Sequence, residues 1–230
     1  MSGCSVFPYP SLKMGKAYTI WFTGRMKHGI IIFLNGTSSA GKTTLALALQ
    51  ELFEEPFQHL ALDQFRDGMP AKFRGLNSPA GTTGDKGLNV VPVNVAGKRP
   101  FTEIRFGEAG IKLLKGMRRA IRAMAIEGNN IIIDDIILNQ LFLEDYLDVM
   151  ADQTLYFIGV RCPLAVIKER EALRLGRFPG TAEGHFLSCH AHGTYDLEID
   201  TSLSSPEECA RSIAKRIAAG PPNAFSSLAT

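Results

Sequence analysis

The chain has 230 residues, of which 45% are apolar and 21% are charged, and its formal net charge is +2. This length and composition fit one globular domain with a sizeable core. So small a net charge gives no basic field that would favour nucleic acid or a membrane surface as a partner. No apolar run approaches the roughly 20 residues that a transmembrane helix needs.

The four cysteines are scattered and include no C-x-x-C pair. This pattern favours reduced thiols in a cytoplasmic protein over a disulfide framework or a zinc site. Residues 1–28 lack an apolar core followed by a small-residue cleavage site, so they do not resemble a secretory signal. We expect them to form a poorly ordered N-terminal extension, with a targeting or docking arm as the alternative.

The first informative motif is Gly-Thr-Ser-Ser-Ala-Gly-Lys-Thr at residues 36–43. It fits the phosphate-binding pattern G-x-x-x-x-G-K-[ST], in which backbone N–H groups cradle phosphates and the final hydroxyl binds Mg²⁺. A predicted strand, residues 29–35, precedes it, and a predicted helix, residues 44–53, follows it. This order places phosphates at a helix N-terminus, so we predict a nucleotide site. The predicted phosphate-binding residues are Gly36, Thr37, Ser38, Ser39, Ala40, Gly41, Lys42 and Thr43.

A second strand is predicted at residues 57–62, and it ends on Asp63. Ligands of open α/β sheets bind just beyond the carboxyl ends of the parallel strands, so Asp63 is a candidate for substrate chemistry. The alternative is an N-cap at the start of a short helix, and position alone does not separate the two.

Residues 73–100 are rich in Gly, Pro, Asn and Thr and have no helical period. We favour a substrate-binding flap over variable surface for this insertion, with residues 88–95 as one arm of an irregular hairpin. Residues 101–128 are predicted to form an amphipathic helix with a solvated basic face. The residues assigned to that face are Lys112, Lys115, Arg118, Arg119 and Arg122.

The strand predicted at residues 131–135 ends on two acids, Asp134 and Asp135. The phosphate-binding loop at residues 36–43 is called the P-loop. In proteins with a P-loop, the carboxylate that holds Mg²⁺ or its water typically lies at the end of an apolar strand. Neighbouring residues of a strand point to opposite faces, so only one of the two acids can serve the metal. We favour Asp134, together with the hydroxyl of Thr43.

An arginine-rich helix is predicted after Pro163. Its Arg170, Arg174 and Arg177 are four and three residues apart and share one helical face. Arginines placed beyond a strand end can stabilise charge on a transferring phosphoryl group, and the glycine and proline breaks that follow suit a mobile lid. A solvated basic face is the alternative.

The remaining elements complete an alternation of strands and helices. They are an acidic helix at residues 138–150, strands at 153–160 and 195–200, and a capped helix that ends near residue 218. We expect residues 219–230 to be a frayed tail. Three histidines near Cys189 match no standard zinc spacing, so we expect no metal there. The alternation predicts an α/β fold, a parallel sheet covered by helices on both faces, within residues 29–218.

Several of these segments together resemble the chloramphenicol phosphotransferase family. They are residues 32–43, 62–70, 131–138, 159–163, 169–171 and 195–201, which follow one another in the family's order. The P-loop is generic, whereas the D-x-x-x-D-x-M-P and I-I-D-D segments in register with it are specific. The resemblance implies a P-loop kinase that uses ATP and Mg²⁺ to phosphorylate a hydroxyl of a small molecule.

The resemblance also implies roles for single residues. Asp63 matches the family's general base, and Arg170, Arg174 and Arg177 match its arginine-bearing lid, while Lys42 would neutralise developing charge. His190 aligns with a family histidine to which we assign no role.

The chain departs from the family's pattern at residues 64–66 and in a longer insertion at residues 75–100. These departures leave the acceptor open. One alternative is another kinase acceptor, such as a nucleotide-sugar as in zeta-toxin kinases. A second is a nucleotide-dependent switch without an acceptor, although the chain lacks the N-K-x-D motif that reads guanine. The sequence predicts no oligomeric state.

Overall fold

The structure, a computed structural model, describes residues 12–14, 18–20, 28–94, 101–174, 180–186 and 188–229. Its strands, in chain order, are β1 Leu12–Met14, β2 Tyr18–Ile20, β3 Ile31–Asn35, β4 Phe57–Ala61, β5 Arg74–Leu76, β6 Leu88–Val93, β7 Phe101–Phe106, β8 Asn130–Asp135, β9 Leu155–Arg161 and β10 Leu197–Asp200. Within the predicted N-terminal extension, β1 pairs antiparallel with β2, and the rest of residues 1–27 lies outside the described part.

The described helices alternate with these strands. They are α1 Lys42–Leu52, α2 Leu62–Asp67, α3 Thr83–Lys86, α4 Glu108–Ile126, α5 Gln140–Met150, α6 Leu164–Ala172, α7 Thr181–Phe186, α8 Pro206–Ala218 and α9 Ala224–Leu228, with a 3₁₀ turn at Ala71–Phe73. In the portion of the chain that the structure describes, no helix has the length and apolar character needed to cross a membrane.

Five strands form one parallel sheet in the order β10-β9-β3-β8-β4. Helices cover both faces, and this explains why every residue of β3 is buried. On one face Ile32 belongs to a core cluster with residues of α1 and α8, and on the other Phe33 belongs to a cluster with residues of α4 and α5. The α/β fold predicted from the sequence is confirmed.

The register of the central strands brings the predicted site residues to one edge. Leu34 of β3 and Ala61 of β4 both lie level with Asp134 of β8. Because the strands are parallel, their carboxyl ends meet at the same edge of the sheet. The loop after β3, the start of α2 and the end of β8 therefore lie side by side.

The insertion and the residues directly after it form a second, three-stranded sheet in the order β5-β6-β7. β6 is the predicted hairpin arm, and β7 is its antiparallel partner. The prediction that the helix begins at residue 101 was wrong, because residues 101–106 form β7 and α4 begins at Glu108. The spacing of Phe101, Ile104 and Phe106 does not distinguish the helical repeat from the two-residue repeat of a strand. Residues 101–106 form a strand because they pair with β6.

Arg118 corrects the prediction of a uniformly solvated basic face on α4. Its side chain is only 2% exposed and pairs with Asp145 of α5, with 2.7 Å between Nη1 and Oδ2. The guanidinium also stacks over the rings of Phe142 and Tyr146, at 4.9 and 4.5 Å from their centroids. A buried cation needs such compensation, and here the neighbouring helix supplies it.

The segment after α8 is packed, contrary to the expected frayed tail. Phe225 of α9 is 8% exposed, and its ring centroid lies 4.9 Å from that of Phe157 and 6.2 Å from that of Phe33. The carboxylate of Asp196 accepts a hydrogen bond of 2.8 Å from the backbone N–H of Asn223. Aromatic packing and this hydrogen bond hold the segment on the sheet.

Candidate active site

A cleft of about 910 Å³ opens at the carboxyl edge of the parallel sheet. Its walls are the P-loop, the β4–α2 junction, the end of β8, and the segment around α6 and α8. The predicted site residues that line it are Ser38, Ser39, Gly41, Lys42, Thr43, Asp63, Asp134, Arg170 and Arg174. Thr37 and Ala40 are almost completely buried behind this wall.

The P-loop has the local geometry that its sequence predicts. Gly41, which precedes α1, has φ 94°, a left-handed conformation that glycine adopts without strain. A side chain at Gly36 would come within 2.5 Å of the carbonyl oxygen of Val160. Nζ of Lys42 donates hydrogen bonds to the carbonyl oxygens of Gly36 and Thr37, at 2.7 and 3.1 Å. The lysine therefore lies across the loop that should receive the phosphates.

Thr43 and Asp134 form an oxygen-donor pair beside the loop. Oγ1 of Thr43 donates a hydrogen bond of 2.6 Å to Oδ2 of Asp134, and Nζ of Lys42 lies 3.7 Å from Oδ1. Burial disfavours a charged Asp134, but the positive charge of Lys42, the nearby imidazole of His59 and the bond from Thr43 hold its pKa below the ordinary value. A hydroxyl beside an ionised carboxylate is a donor set that suits Mg²⁺.

Asp135 has different surroundings, although it follows Asp134 directly. Its Oδ2 accepts a hydrogen bond of 2.6 Å from the hydroxyl of Tyr146, and its Oδ1 accepts one of 2.7 Å from the backbone N–H of Ile136. Burial raises the pKa of Asp135. These bonds tie its carboxyl group to α5, and the geometry favours Asp134 as the metal-binding acid.

His59 also faces this pair, and it was missed from the sequence. It lies two residues before Ala61 on β4, so both side chains are on the same face of the strand and line the cleft. Nε2 of His59 lies 3.5 Å from Oδ2 of Asp134. The two-residue repeat of β4 indicates that His59 and Ala61 share a face, but it does not indicate which residue of β8 lies opposite them.

Asp63 lies in the first turn of α2, whose N-cap is Ala61, so the N-cap alternative for Asp63 was wrong. Its side chain is 42% exposed, and Oδ1 lies 2.8 Å from Nη1 of Arg66. Asp67 accepts from Nε and Nη2 of the same arginine at 3.0 and 2.9 Å. Nη1 of Arg74, on β5, lies 3.5 Å from Asp67. A chain of ion pairs thus runs from the insertion sheet to Asp63.

Arg170 borders the other end of the cleft. It donates to Oγ1 and to the carbonyl oxygen of Thr201, at 3.0 and 2.8 Å, and Oγ1 of Thr201 donates to the carbonyl oxygen of Ala40 at 2.7 Å. Thr201 therefore joins the arginine to the back of the P-loop. Arg174 also lines the cleft, but α6 ends at residue 172, so the two arginines do not share a helical face as predicted. Arg177 lies outside the described residues.

His190 belongs to a hydrogen-bonded network beneath the P-loop. Its Nδ1 lies 2.5 Å from the hydroxyl of Tyr195, which accepts a bond of 2.7 Å from Nδ2 of Asn35, the residue before the loop. Burial lowers the pKa of His190 to about 4, so the ring is neutral near pH 7. Over the described residues, no group of three or more His, Cys, Asp and Glu side chains could hold a metal ion. The network links His190 through Tyr195 to Asn35.

Comparisons with known proteins agree with this geometry. A family profile described as chloramphenicol phosphotransferase-like protein matches residues 29–218. Two curated proteins from Mycobacterium tuberculosis, from strains CDC 1551 and H37Rv, are each named "Putative O-phosphotransferase". Each is 35% identical to this chain over 206 residues, which cover 88% of this chain and 89% of the relative.

Solved structures share the fold at much lower sequence identity. A sugar kinase from Janibacter superimposes with a TM-score of 0.56 at 17% identity, and covers 82% of this chain and 94% of its own. APS kinase from Mycobacterium tuberculosis, solved with AMPPNP and APS, superimposes with a TM-score of 0.55 at 14% identity. The match covers 83% of this chain and 98% of the kinase chain. The sequence had predicted a phosphotransferase, and the family match confirms that class. The chain belongs to the chloramphenicol phosphotransferase-like family.

Proposed function

We propose that this protein transfers the γ-phosphoryl group of ATP to a hydroxyl group of a small molecule. The observation that carries the proposal is that one cleft contains both a P-loop with its lysine and a carboxylate, Asp63, on the neighbouring wall. A nucleotide site alone would account for the loop. The carboxylate beside it adds a group that can activate an acceptor hydroxyl.

Residues 36–43 bind the phosphates in this proposal. Their backbone N–H groups and the N-terminus of α1 favour negative charge, and Lys42 neutralises the charge that develops during transfer. Thr43 and Asp134 would hold Mg²⁺, since their oxygen atoms fit that ion. When bound, Mg²⁺ shields the charge on the phosphate oxygens.

Asp63 is the proposed general base. It orients the acceptor hydroxyl and accepts its proton, a contribution typically of 10²–10⁴-fold in rate. Arg170, Arg174 and Arg177 are the proposed arginines of the lid that stabilises the transferring group and excludes water, the competing nucleophile. Support for Arg170 and Arg174 comes from their position on the wall of the cleft.

A substrate screen would identify the acceptor and test the proposed reaction. Enzyme, ATP and Mg²⁺ would be incubated with a panel of hydroxylated compounds that includes chloramphenicol and nucleotide-sugars, and products would be analysed by mass spectrometry. We expect one compound to gain a single phosphoryl group. ATP hydrolysis that appears only with a protein partner, and no phosphorylated small molecule, would favour the nucleotide-dependent switch instead.

We also propose a cytoplasmic location. The described cysteines Cys162, Cys189 and Cys209 are all buried and make no disulfide with one another. Reduced, buried thiols are typical of cytoplasmic proteins. Thiol counting under denaturing conditions, after rapid alkylation in cells, would test this proposal.

A further inference from the structure

His59 has a buried imidazole nitrogen whose contacts within the described part of the chain are incomplete. The side chain is 13% exposed, and among the described residues Nε2 has no partner within hydrogen-bonding geometry. Nε2 lies 3.5 Å from Oδ2 of Asp134. A separation of that length is outside the range of an ordinary N–H···O bond, which is roughly 2.7–3.2 Å.

Such a nitrogen is unusual in a folded protein. Leaving a buried polar atom unsatisfied is unfavourable, and most such atoms in native structures have a protein or water partner. The rest of the neighbourhood is polar, since Thr43 and Lys42 each contact the carboxylate of Asp134. Because His59 lines the cleft, a polar group bound there could reach this nitrogen.

The backbone fixes where that partner would sit. Ala61 lies opposite Asp134 in the β4–β8 register, and His59 projects from the same face of β4 two residues earlier. His59 thus approaches Asp134 from the strand side, while Thr43 approaches it from α1. The imidazole and the carboxylate can both reach one small polar group between them.

We propose that His59 is a positioning residue of the divalent-cation site, where Nε2 and Asp134 together hold a water bound to the ion. Mg²⁺ keeps several waters when it binds to proteins, so a water in this place is chemically reasonable. The proposal rests on the proposed nucleotide and metal site, and it adds a residue that the P-loop pattern does not contain. Ordinary packing of a strand side chain is the competing explanation.

The test measures metal binding rather than turnover. Mn²⁺ affinity of the full chain would be measured by electron paramagnetic resonance with AMPPNP present. Removal of a group that orients a metal's ligands typically weakens affinity by about 10–100-fold, and we expect His59→Ala to lose that much. His59→Gln, whose amide can replace Nε2, should stay within about threefold of wild type by the same reasoning.

Two controls separate this role from a general loss of structure. Gln58→Ala changes the exposed neighbour on the same strand and should leave Mn²⁺ affinity unchanged. AMPPNP affinity in EDTA, measured by calorimetry, should be the same in His59→Ala and wild type. In this proposal His59 contributes to cation binding and not to nucleotide binding without the cation.

The outcomes distinguish this proposal from the one on which it rests. If wild type binds Mn²⁺ with AMPPNP and His59→Ala binds it equally well, His59 only packs and the proposal is overturned. An equal weakening of metal-free AMPPNP binding would overturn it too, as a structural effect. If wild type shows no nucleotide-dependent Mn²⁺ binding, the proposed metal site itself fails, and this inference with it.

Discussion

Asp134 and Asp135 illustrate how neighbouring identical residues acquire different chemistry. Asp134 faces Thr43 and Lys42, whereas Asp135 is bound by the hydroxyl of Tyr146 from α5. The alternation of a strand predicts that only one acid faces the P-loop. The choice between them depends on Tyr146, because nothing local in the strand indicates that a distant helix would bind one of the two carboxyl groups.

His185 allows a prediction at the scale of one residue. It is 4% exposed, and neither ring nitrogen has a hydrogen-bond partner among the described residues. Burial, with a smaller effect of Lys42, lowers its pKa from 6.5 to about 4. His185 therefore binds a proton more readily in the unfolded chain than in the folded protein. Its contribution to the free energy of unfolding is complete above pH 6.5 and is lost as pH falls towards 4, by up to about 3 kcal/mol.

Urea unfolding at a series of pH values between 7 and 4 would measure this contribution. His185→Gln should show a shallower decrease in stability with falling pH, because its side chain does not titrate. An identical pH dependence in the variant and in wild type would show that His185 is not the group responsible.

At the scale of elements, the sequence-based prediction was wrong where a strand or helix is stabilised by contacts with residues distant in the sequence. The P-loop and its flanking strand and helix were predictable because loop chemistry and apolar pattern agree locally. β7 was mistaken for the start of a helix because its pairing with β6 is not visible in the residues of β7. α9 was missed because its five residues carry no strong period, and contact with Phe157 determines its place.

Phe225 tests whether α9 is an integral part of the fold. Phe225→Ala removes a ring that packs against Phe33 and Phe157, and we expect a loss of about 3 kcal/mol in the free energy of unfolding. Leu203→Ala is a suitable control, since Leu203 is 83% exposed and should change stability by less than about 0.5 kcal/mol. Equal effects of the two substitutions, measured by urea unfolding, would mean that α9 does not stabilise the sheet.

At the scale of the whole molecule, parallel topology does most to assemble the site. It places the P-loop, Asp63 and Asp134 at one edge, and the alternation of strands and helices was enough to predict that. The contribution of the insertion was not predictable. Arg74 of the second sheet contacts Asp67, which holds Arg66 against Asp63. Exposed ion pairs of this kind contribute little stability, so their significance here is positional.

The central claim is that Asp63 activates an acceptor hydroxyl next to a nucleotide bound at the P-loop. The most direct measurement compares phosphoryl transfer and nucleotide affinity in Asp63→Asn, with Asp148→Asn, an exposed carboxylate of α5 outside the cleft, as the control. We expect Asp63→Asn to bind AMPPNP as wild type does but to lose about 10²–10⁴-fold in transfer, and Asp148→Asn to transfer at the wild-type rate. Transfer by Asp63→Asn at the wild-type rate would contradict the account.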